Sequence, residues 1–472
     1  MRARFLPVPL LLALLAPAFT AQAQQQPAPT PDGRAWLTGD HHVHSEWSVD
    51  WDRSTTPPTP VRGGDSPYTR SRNARQALAN GLAWMVHTDH GGPGHSRVNR
   101  DQAWPALQEA RRAVPALIQY YGMEFDVPAA EHASLIIAPG PQEREQLYRI
   151  ERDYSRGEPL QGARDEEAQM LEALAYMGTL SPLPLLFVNH PSRTATALAG
   201  WGEVTPGELS AWHEAAPGVV VGMEGAPGHQ AAHPHRGLYR NAEAPTLGGF
   251  DQMTAQVGGV WDAMLAGGQR FWITATSDSH INQRDGGNDF DPGQYSKTYV
   301  WARRDAEDIL DGLRHGRIFA VTGDLIDALE LSVSVPGQDT RVATMGQALA
   351  VAAGTPMRIR LGVRVPASAN ANGQRPALHH VEVILGQAGD GGVPLMQSRR
   401  FDAAELRREG DWLRLAWDLP APAADGFIRV RGTSTAEDAP LPDTPGEDPW
   451  QDLWFYSNPV FIEVAPTGPA RR

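Results

Sequence analysis

Gly39-Asp40-His41-His42-Val43-His44-Ser45 sets Asp40, His42 and His44 at alternate positions. In an extended strand alternate side chains share one face, so an acid and two imidazoles would converge on one volume. Imidazole suits zinc, copper, iron and nickel, and a neighbouring carboxylate widens the choice toward manganese. Taken alone, the stretch reads equally as a metal site or as a histidine-rich polar loop. His41 falls on the opposite strand face and is not expected to be a ligand.

Downstream the same arrangement recurs. A helix expected over Ser71 to Asn80 is followed by an apolar run, Leu82 to Val86, that ends in His87-Thr88-Asp89-His90. Asp101 to Val114 reads as a helix, and the strand Leu117 to Tyr121 delivers Gly122-Met123-Glu124. Asp165 to Met177 is helical by its apolar spacing, and Leu185 to Val188 delivers Asn189-His190-Pro191. Thr205-Pro206-Gly207-Glu208 carries a capping-box pattern, and Val219 to Val221 delivers Gly222-Met223-Glu224. After a helix over Asp251 to Leu265, the strand Phe271 to Thr276 delivers Ser277-Asp278-Ser279-His280, and Ala306 to Leu313 and Ile318 to Val321 close the series. Six buried-looking strands thus end in His, Asp or Glu. That is how the active-site edge of an α/β barrel is built, whereas ordinary surface polarity would supply Lys, Ser and Asn as readily.

Composition agrees with this placement. Of sixteen histidines only His379 and His380 lie beyond His315, and these read as structural or surface residues. There is no cysteine, so neither disulfides, thiol nucleophiles nor thiolate ligands are available, and any metal must be held by His, Asp and Glu. The net charge of −14 argues against a nucleic-acid-binding surface, although scattered arginines can still clamp anions locally. Arg2 and Arg4, an apolar run from Phe5 to Phe19 and Ala21-Gln22-Ala23 form a secretory signal pattern over 1–23, with an extended leader over 24–34. Residues 35–325 read as the barrel, and 326–472, with short alternating runs between Gly/Pro/Asp-rich turns, as an all-β sandwich.

Asp40 to Ser45, Thr88-Asp89-His90, Gly122-Met123-Glu124 followed by His132, Asn189-His190-Pro191 and Ser277-Asp278-Ser279-His280 together resemble the PHP (polymerase and histidinol phosphatase) superfamily. The signal pattern, Gly316-Arg317-Ile318 and Tyr456-Ser457-Asn458-Pro459 resemble its exported carbaryl-hydrolase-like (CehA/McbA-type) branch. The resemblance covers the barrel and implies a distorted (β/α)7 PHP barrel with two or three divalent metals per chain, Zn, Mn or Fe. It implies that His42, His44, Glu124 and Asp278 hold one metal and that Glu124 bridges to a second held by His132 and His190. A third is expected on His90, His280 and a residue of the loop after His44, for which Asp50 is the candidate by spacing. Asp40 and Asp89 are taken as carboxylates that orient ligating imidazoles, with direct ligation left open. With Glu124 and Asp278 they form the expected catalytic set.

The expected function is that of an exported metal-dependent hydrolase, foremost a phosphoesterase using metal-bound hydroxide at a di- or trinuclear site. Carbamate or carboxyl-ester hydrolysis on the same fold, and a non-catalytic metal-stabilised binding protein, are the alternatives. The expected partner is a small-molecule phosphate ester, with no nucleic acid and no membrane after signal cleavage. Glu224 and His229 lie at the rim with substrate contact and plain loop polarity both open. Arg193 and Arg284 could clamp an anion, Trp47 and Trp51 could wall the pocket, and His95, His233 and His235 read as surface residues.

Overall fold

The computed structural model describes residues 30–159, 164–232, 236, 239, 242–338 and 340–465. The expected signal peptide, most of the leader, His233 and His235 fall outside the described residues. Nine strands surround the histidines: β1 (Ala35–Asp40), β2 (Trp84–His87), β3 (Ile118–Asp126), β4 (His132–Ile137), β5 (Leu185–Val188), β6 (Val220–Ala226), β7 (Trp272–Ala275), β8 (Ser296–Ala302) and β9 (Ile318–Thr322). β1, β2 and β3 are parallel neighbours, as are β5, β6 and β7. β4 runs antiparallel between β3 and β5.

The ring is closed at one end only. Beyond β1 and β7 the chain makes a parallel bridge between Val43 and Ser279, with His44 N–H donating to Ser279 C=O at 3.0 Å. At the other end β8 and β9 stand beside β1, antiparallel to it and then to each other. There the link to β7 is made by side chains: Thr298 Oγ accepts the Ala275 N–H at 2.9 Å and donates to the Ala275 carbonyl at 2.7 Å. The fold is therefore a mixed α/β arrangement around a large central sheet. It departs from a regular (β/α)7 barrel because one ring strand is reversed and the backbone ladder closes only at the rim that carries the histidines.

Local signals explain most elements. Thr69 rather than Ser71 caps the helix Arg70–Ala79, and Thr205 and Glu208 make the expected reciprocal box at the start of Pro206–Ala215. The helix expected over Asp251 to Leu265 is two pieces, Gln252–Ala255 and Val260–Ala266, because Gly258 turns the chain at φ +77°. β4 and β8, absent from the sequence reading, are strands because each fills a gap between strands already in place.

Packing follows from the buried runs. Trp84, Trp212, Trp261 and Trp272 are almost fully buried with the apolar residues of β3 to β7 in one core around the ring. Gly122 on β3 lets strands meet: a Cβ there would stand 2.4 Å from the Leu135 carbonyl of β4.

Among the described residues after 325 the regular structure, apart from 3₁₀ turns at Asp390–Gly392 and Ala403–Glu405, is short β-strands. Five of them, among them Ala328–Ser334, Pro356–Arg364 and Trp412–Pro420, form one antiparallel sheet. The others extend the central sheet, because Trp454–Ser457 pairs antiparallel with β9. Among the described residues no helix is long and apolar enough to cross a membrane.

Candidate metal centre

The rim where the ring closes holds the ends of β1 to β7, and their polar residues meet there in three groups. His42 Nε2 and His44 Nε2 lie 3.0 Å apart, with Asp278 Oδ1 at 3.1 and 3.0 Å from them. Glu124 Oε1 stands 3.3 Å from His42 Nε2, and its Oε2 3.5 Å from His44 Nε2. Glu124 Oε1 also stands 2.9 Å from His132 Nδ1 and 3.1 Å from His190 Nε2. In the third group Asp65 Oδ2 lies 3.2 Å from both His90 Nε2 and His280 Nε2, with the His44 ring stacked on His280 at 3.8 Å.

The hydrogen bonds behind these atoms decide what they offer. Ser48 Oγ donates to Asp89 and so accepts from His44 Nδ1–H at 2.8 Å, leaving the His44 Nε2 lone pair facing inward. His42 Nδ1–H donates to Glu224 at 2.7 Å, and His280 Nδ1–H to the Asp278 carbonyl at 3.0 Å, with the same result. Nε2 of His42 and His44 and the carboxylates of Glu124 and Asp278 thus converge on one volume. Such a set could hold a metal ion.

Spacing and charge agree. Ligand atoms held about 2.1 Å from one ion stand roughly 3.0–3.4 Å apart in octahedral or tetrahedral shells, which is the spacing seen here. Asp65 Oδ2, His132 Nδ1 and Asp278 Oδ1 are buried and make no hydrogen bond. Among the described residues, the ion-pair partners of Glu124 and Asp278 are histidines alone. Burial opposes a charge on His42, but Asp278, Glu224 and Glu124 outweigh it and raise its pKa, marking a point of strong negative potential. His44, dehydrated and beside His280, is driven down to about 4 and is a neutral ligand at pH 7. The residues fit divalent metal ions, the chemistry expected of this histidine, carboxylate and imidazole set.

Of the residues expected at metals, His42, His44, His90, Glu124, His132, His190, Asp278 and His280 are all brought together. Asp50 is not. It is exposed on a two-stranded ribbon, Asp50–Asp52 paired with Thr59–Val61, and the chain then doubles back at Gly64, whose added Cβ would stand 2.7 Å from Asp50 Cβ. That reversal places Asp65 at the third group, where Ser66 Oγ fixes the loop by donating to the His280 carbonyl at 2.9 Å. Asp65 was not singled out in the sequence because its reach depends on the ribbon.

Asp40 and Asp89 stand behind the rim. Asp40 is fully buried, accepts the His42 N–H at 3.1 Å and the Ser277 N–H at 3.2 Å, and is pushed up to about 7 by burial. It holds backbone rather than an imidazole. Burial would raise Asp89 too, but Arg70, donating from Nη2 at 2.6 Å, and Ser45 hold its carboxyl well below the usual range. Asp89 reaches His44 only through Ser48. Neither borders the cavity, and both bond to the backbone and side chains behind it.

His229 Nδ1 lies 3.2 Å from Asp278 Oδ2, and Glu224 is fully buried behind His42. His41 is buried, bonded to Thr274 at 2.8 Å and driven down to about 4 by burial, and holds no place in the groups. His95, read as a surface residue, is fully buried against Glu151 at 2.6 Å. Trp47 packs with Val49, Val98 and Ala103 away from the cavity, and Arg284 does not line it.

A cavity of about 290 Å³ opens over the three groups, bordered on the far side by Arg193, Gln230 and Asn288. Arg193 is held there by Nη1 donating to Glu131 at 3.1 Å. His190 at φ +28° and Asp278 at φ +45° sit in the left-handed region, a strain of about 1–3 kcal/mol each that clusters at functional sites.

No protein-family model matches the chain, and no curated protein matches it. Among solved structures it is similar to an endonuclease Q in complex with a 27-mer duplex substrate carrying an abasic lesion at the active site, at 13% identity and a TM-score of 0.32. The likeness covers 59% of this chain and 56% of that one, so the chain spans little more than half of its length. This corrects the partner expectation: with a duplex-bound nuclease as the similar structure, the exclusion of nucleic acid in favour of a small-molecule phosphate ester does not stand.

Proposed function

We propose that this chain is a metal-dependent hydrolase that cleaves phosphoester bonds with water as the attacking group. The observation that carries the reading is the cavity itself: Glu124, Asp278, His132, His190, Asp65, His90 and His280, drawn from all three groups, line it, and among the described residues no serine, threonine, tyrosine or lysine does. With no hydroxyl or amine nucleophile in the lining and its carboxylates and imidazoles grouped as ligands, the reading takes water as the attacking group.

His42, His44, Glu124 and Asp278 would hold one ion, Glu124, His132 and His190 a second, and Asp65, His90 and His280 a third. Divalent ions in such a cluster supply Lewis acidity, lowering the pKa of water and offsetting charge on phosphoryl oxygens. The chain's own residues do the rest. Glu224, Ser48 and the Asp278 carbonyl fix three imidazoles in the tautomer that can ligate. Arg193, tethered by Glu131, places a cation at the cavity wall, suited to a phosphoryl oxygen outside the ligand groups. Asp40 holds the backbone of the first motif against the last, and Asp89 holds the Ser45 backbone of the first motif against the second.

The motif order of the PHP resemblance supports this reading, and the CehA/McbA-type assignment is proposed with it. The Arg2 to Ala23 pattern supports export, which N-terminal sequencing of the expressed protein tests by a start after Ala23. The activity is tested on aryl phosphate mono- and diesters, a duplex oligonucleotide, and aryl esters and carbamates. Hydrolysis of at least one phosphoester, lost in Asp278→Asn, is expected; activity confined to esters or carbamates overturns the phosphoester reading, and full activity in Asp278→Asn overturns the metal-dependent one.

A further inference from the structure

Glu224 lies within β6, a strand whose every residue is buried, so its carboxylate must find all its partners inside the protein. It finds three. Oε1 accepts His42 Nδ1–H at 2.7 Å and the Thr276 hydroxyl at 2.8 Å, and Oε2 accepts the backbone N–H of His190 at 2.7 Å. His42 belongs to the first ligand group and His190 to the second.

The two bonds act differently. At His42 an acceptor on Nδ1 fixes the tautomer with the proton on Nδ1, which leaves the Nε2 lone pair directed at His44, Glu124 and Asp278. At His190 the bond anchors a backbone held at φ +28°, a conformation a histidine does not keep without support. Arg193 N–H closes the same turn by donating to the His190 carbonyl at 2.9 Å. Because one rigid carboxylate serves both, displacing it disturbs both groups together.

We infer that Glu224 is a positioning residue that couples the first two metal positions, setting the His42 tautomer with one oxygen and the His190 backbone with the other. The inference rests on the proposed metal centre. It accounts for an acid in a fully buried strand that does not line the cavity and meets the ligand groups only from behind, at His42 Nδ1 and the His190 backbone.

Glu224→Gln is the informative variant because it keeps shape and volume. A glutamine amide has one acceptor and one donor group, so it cannot accept from both His42 Nδ1–H and His190 N–H. Its NH₂ must face one of them, either forcing the proton of His42 onto Nε2 or opposing the His190 amide. Thr276→Val removes only the hydroxyl bond and leaves both ligand contacts.

The test is Mn²⁺ binding to the full chain, followed by calorimetry and by elemental analysis after dialysis. Wild type and Thr276→Val are expected to retain at least two ions per chain, and Glu224→Gln to lose two together, each with affinity reduced tenfold or more. Retention by Glu224→Gln of wild-type stoichiometry and affinity, or loss of one ion alone, overturns the coupling. If the wild type itself binds none, the metal centre fails rather than the coupling within it. Independently of any variant, ¹⁵N-histidine spectra of the metal-free wild type are expected to show His42 protonated on Nδ1; protonation on Nε2 alone overturns the inference even where Glu224→Gln does not fold.

Discussion

The side-chain amide of Asn458 pairs with the backbone of Ile273 as a neighbouring strand would: its Oδ1 accepts the Ile273 N–H at 3.0 Å and its Nδ2 donates to the Ile273 carbonyl at 3.0 Å. The same Nδ2 donates to the Ile318 carbonyl at 3.1 Å. Asn458, fully buried, thereby fills the gap between β7 and β9. β7 leads directly to Asp278 and His280.

Asn458→Ala therefore leaves the buried N–H and C=O of Ile273 without partners and takes one of two bonds from the Ile318 carbonyl, which keeps the backbone N–H of residue 458 at 3.3 Å. At about 1 kcal/mol for each bond, with added cost for the unsatisfied groups, the expected loss is about 2–4 kcal/mol. Urea unfolding of the two proteins measures it, and a loss below 1 kcal/mol would remove Asn458 from the closure of the ring.

Arg429 and Asp262 make a second tie between the C-terminal strands and the helix layer, a bidentate pair at 2.7 and 2.8 Å with both side chains at most 1% exposed. Arg429→Leu leaves Asp262 buried and unpaired, for which about 3–5 kcal/mol of destabilisation is expected. Replacing both residues by leucine is expected to recover much of that loss. A double variant no more stable than the single one contradicts this account of the pair.

At the third ligand group, Asp65→Ala is expected to lower metal-dependent activity by at least about tenfold, with less metal retained, while Asp50→Ala leaves both within twofold. The reverse ranking, from the same assay and elemental analysis, would restore Asp50 to the site.

That pair of aspartates marks how far the sequence could be read. His42, His44, His90, Glu124, His190, Asp278 and His280 were legible because each sits near the C-terminal end of an apolar strand, whereas His132, which opens a strand the sequence did not show, was reached only through the family resemblance. Asp65 was hidden because the ribbon between His44 and Gly64 reverses the chain, and no local pattern tells how far. Glu224 did carry a signal, an acid inside a buried strand, but its partners come from β1, β5 and β7. Asn458 is 185 residues from Ile273, and only the assembled sheet shows the gap that it fills. His95 looked like loop polarity because the Glu151 that neutralises it lies on a helix 56 residues further on, past β3 and β4.

His95 gives the pH dependence. Its Nδ1–H donates to Glu151 Oε1 at 2.6 Å and its Nε2–H to the Trp47 carbonyl at 2.8 Å, so both nitrogens carry protons. Burial alone would lower its pKa, but the Glu151 carboxylate and these acceptors raise it above 6.5. A raised folded value means that this stabilisation is complete below the unfolded value near 6.5 and is lost as pH rises through the folded one. The urea midpoint of the wild type is expected to fall from pH 6 toward pH 9, and that of His95→Gln to fall less. Equal slopes would show that His95 does not contribute.

The central claim is that His42, His44, Glu124 and Asp278, with the two groups beside them, form a metal centre that hydrolyses phosphoesters. Its most direct test is a single titration: protein stripped with chelator is reloaded with Mn²⁺ or Zn²⁺ while bound metal and the rate on a phosphodiester and a phosphomonoester are followed together. The account predicts no turnover by the stripped protein and recovery that rises with two or three ions bound per chain. Undiminished phosphoester hydrolysis by fully stripped protein, or a folded chain that takes up no metal, would contradict it.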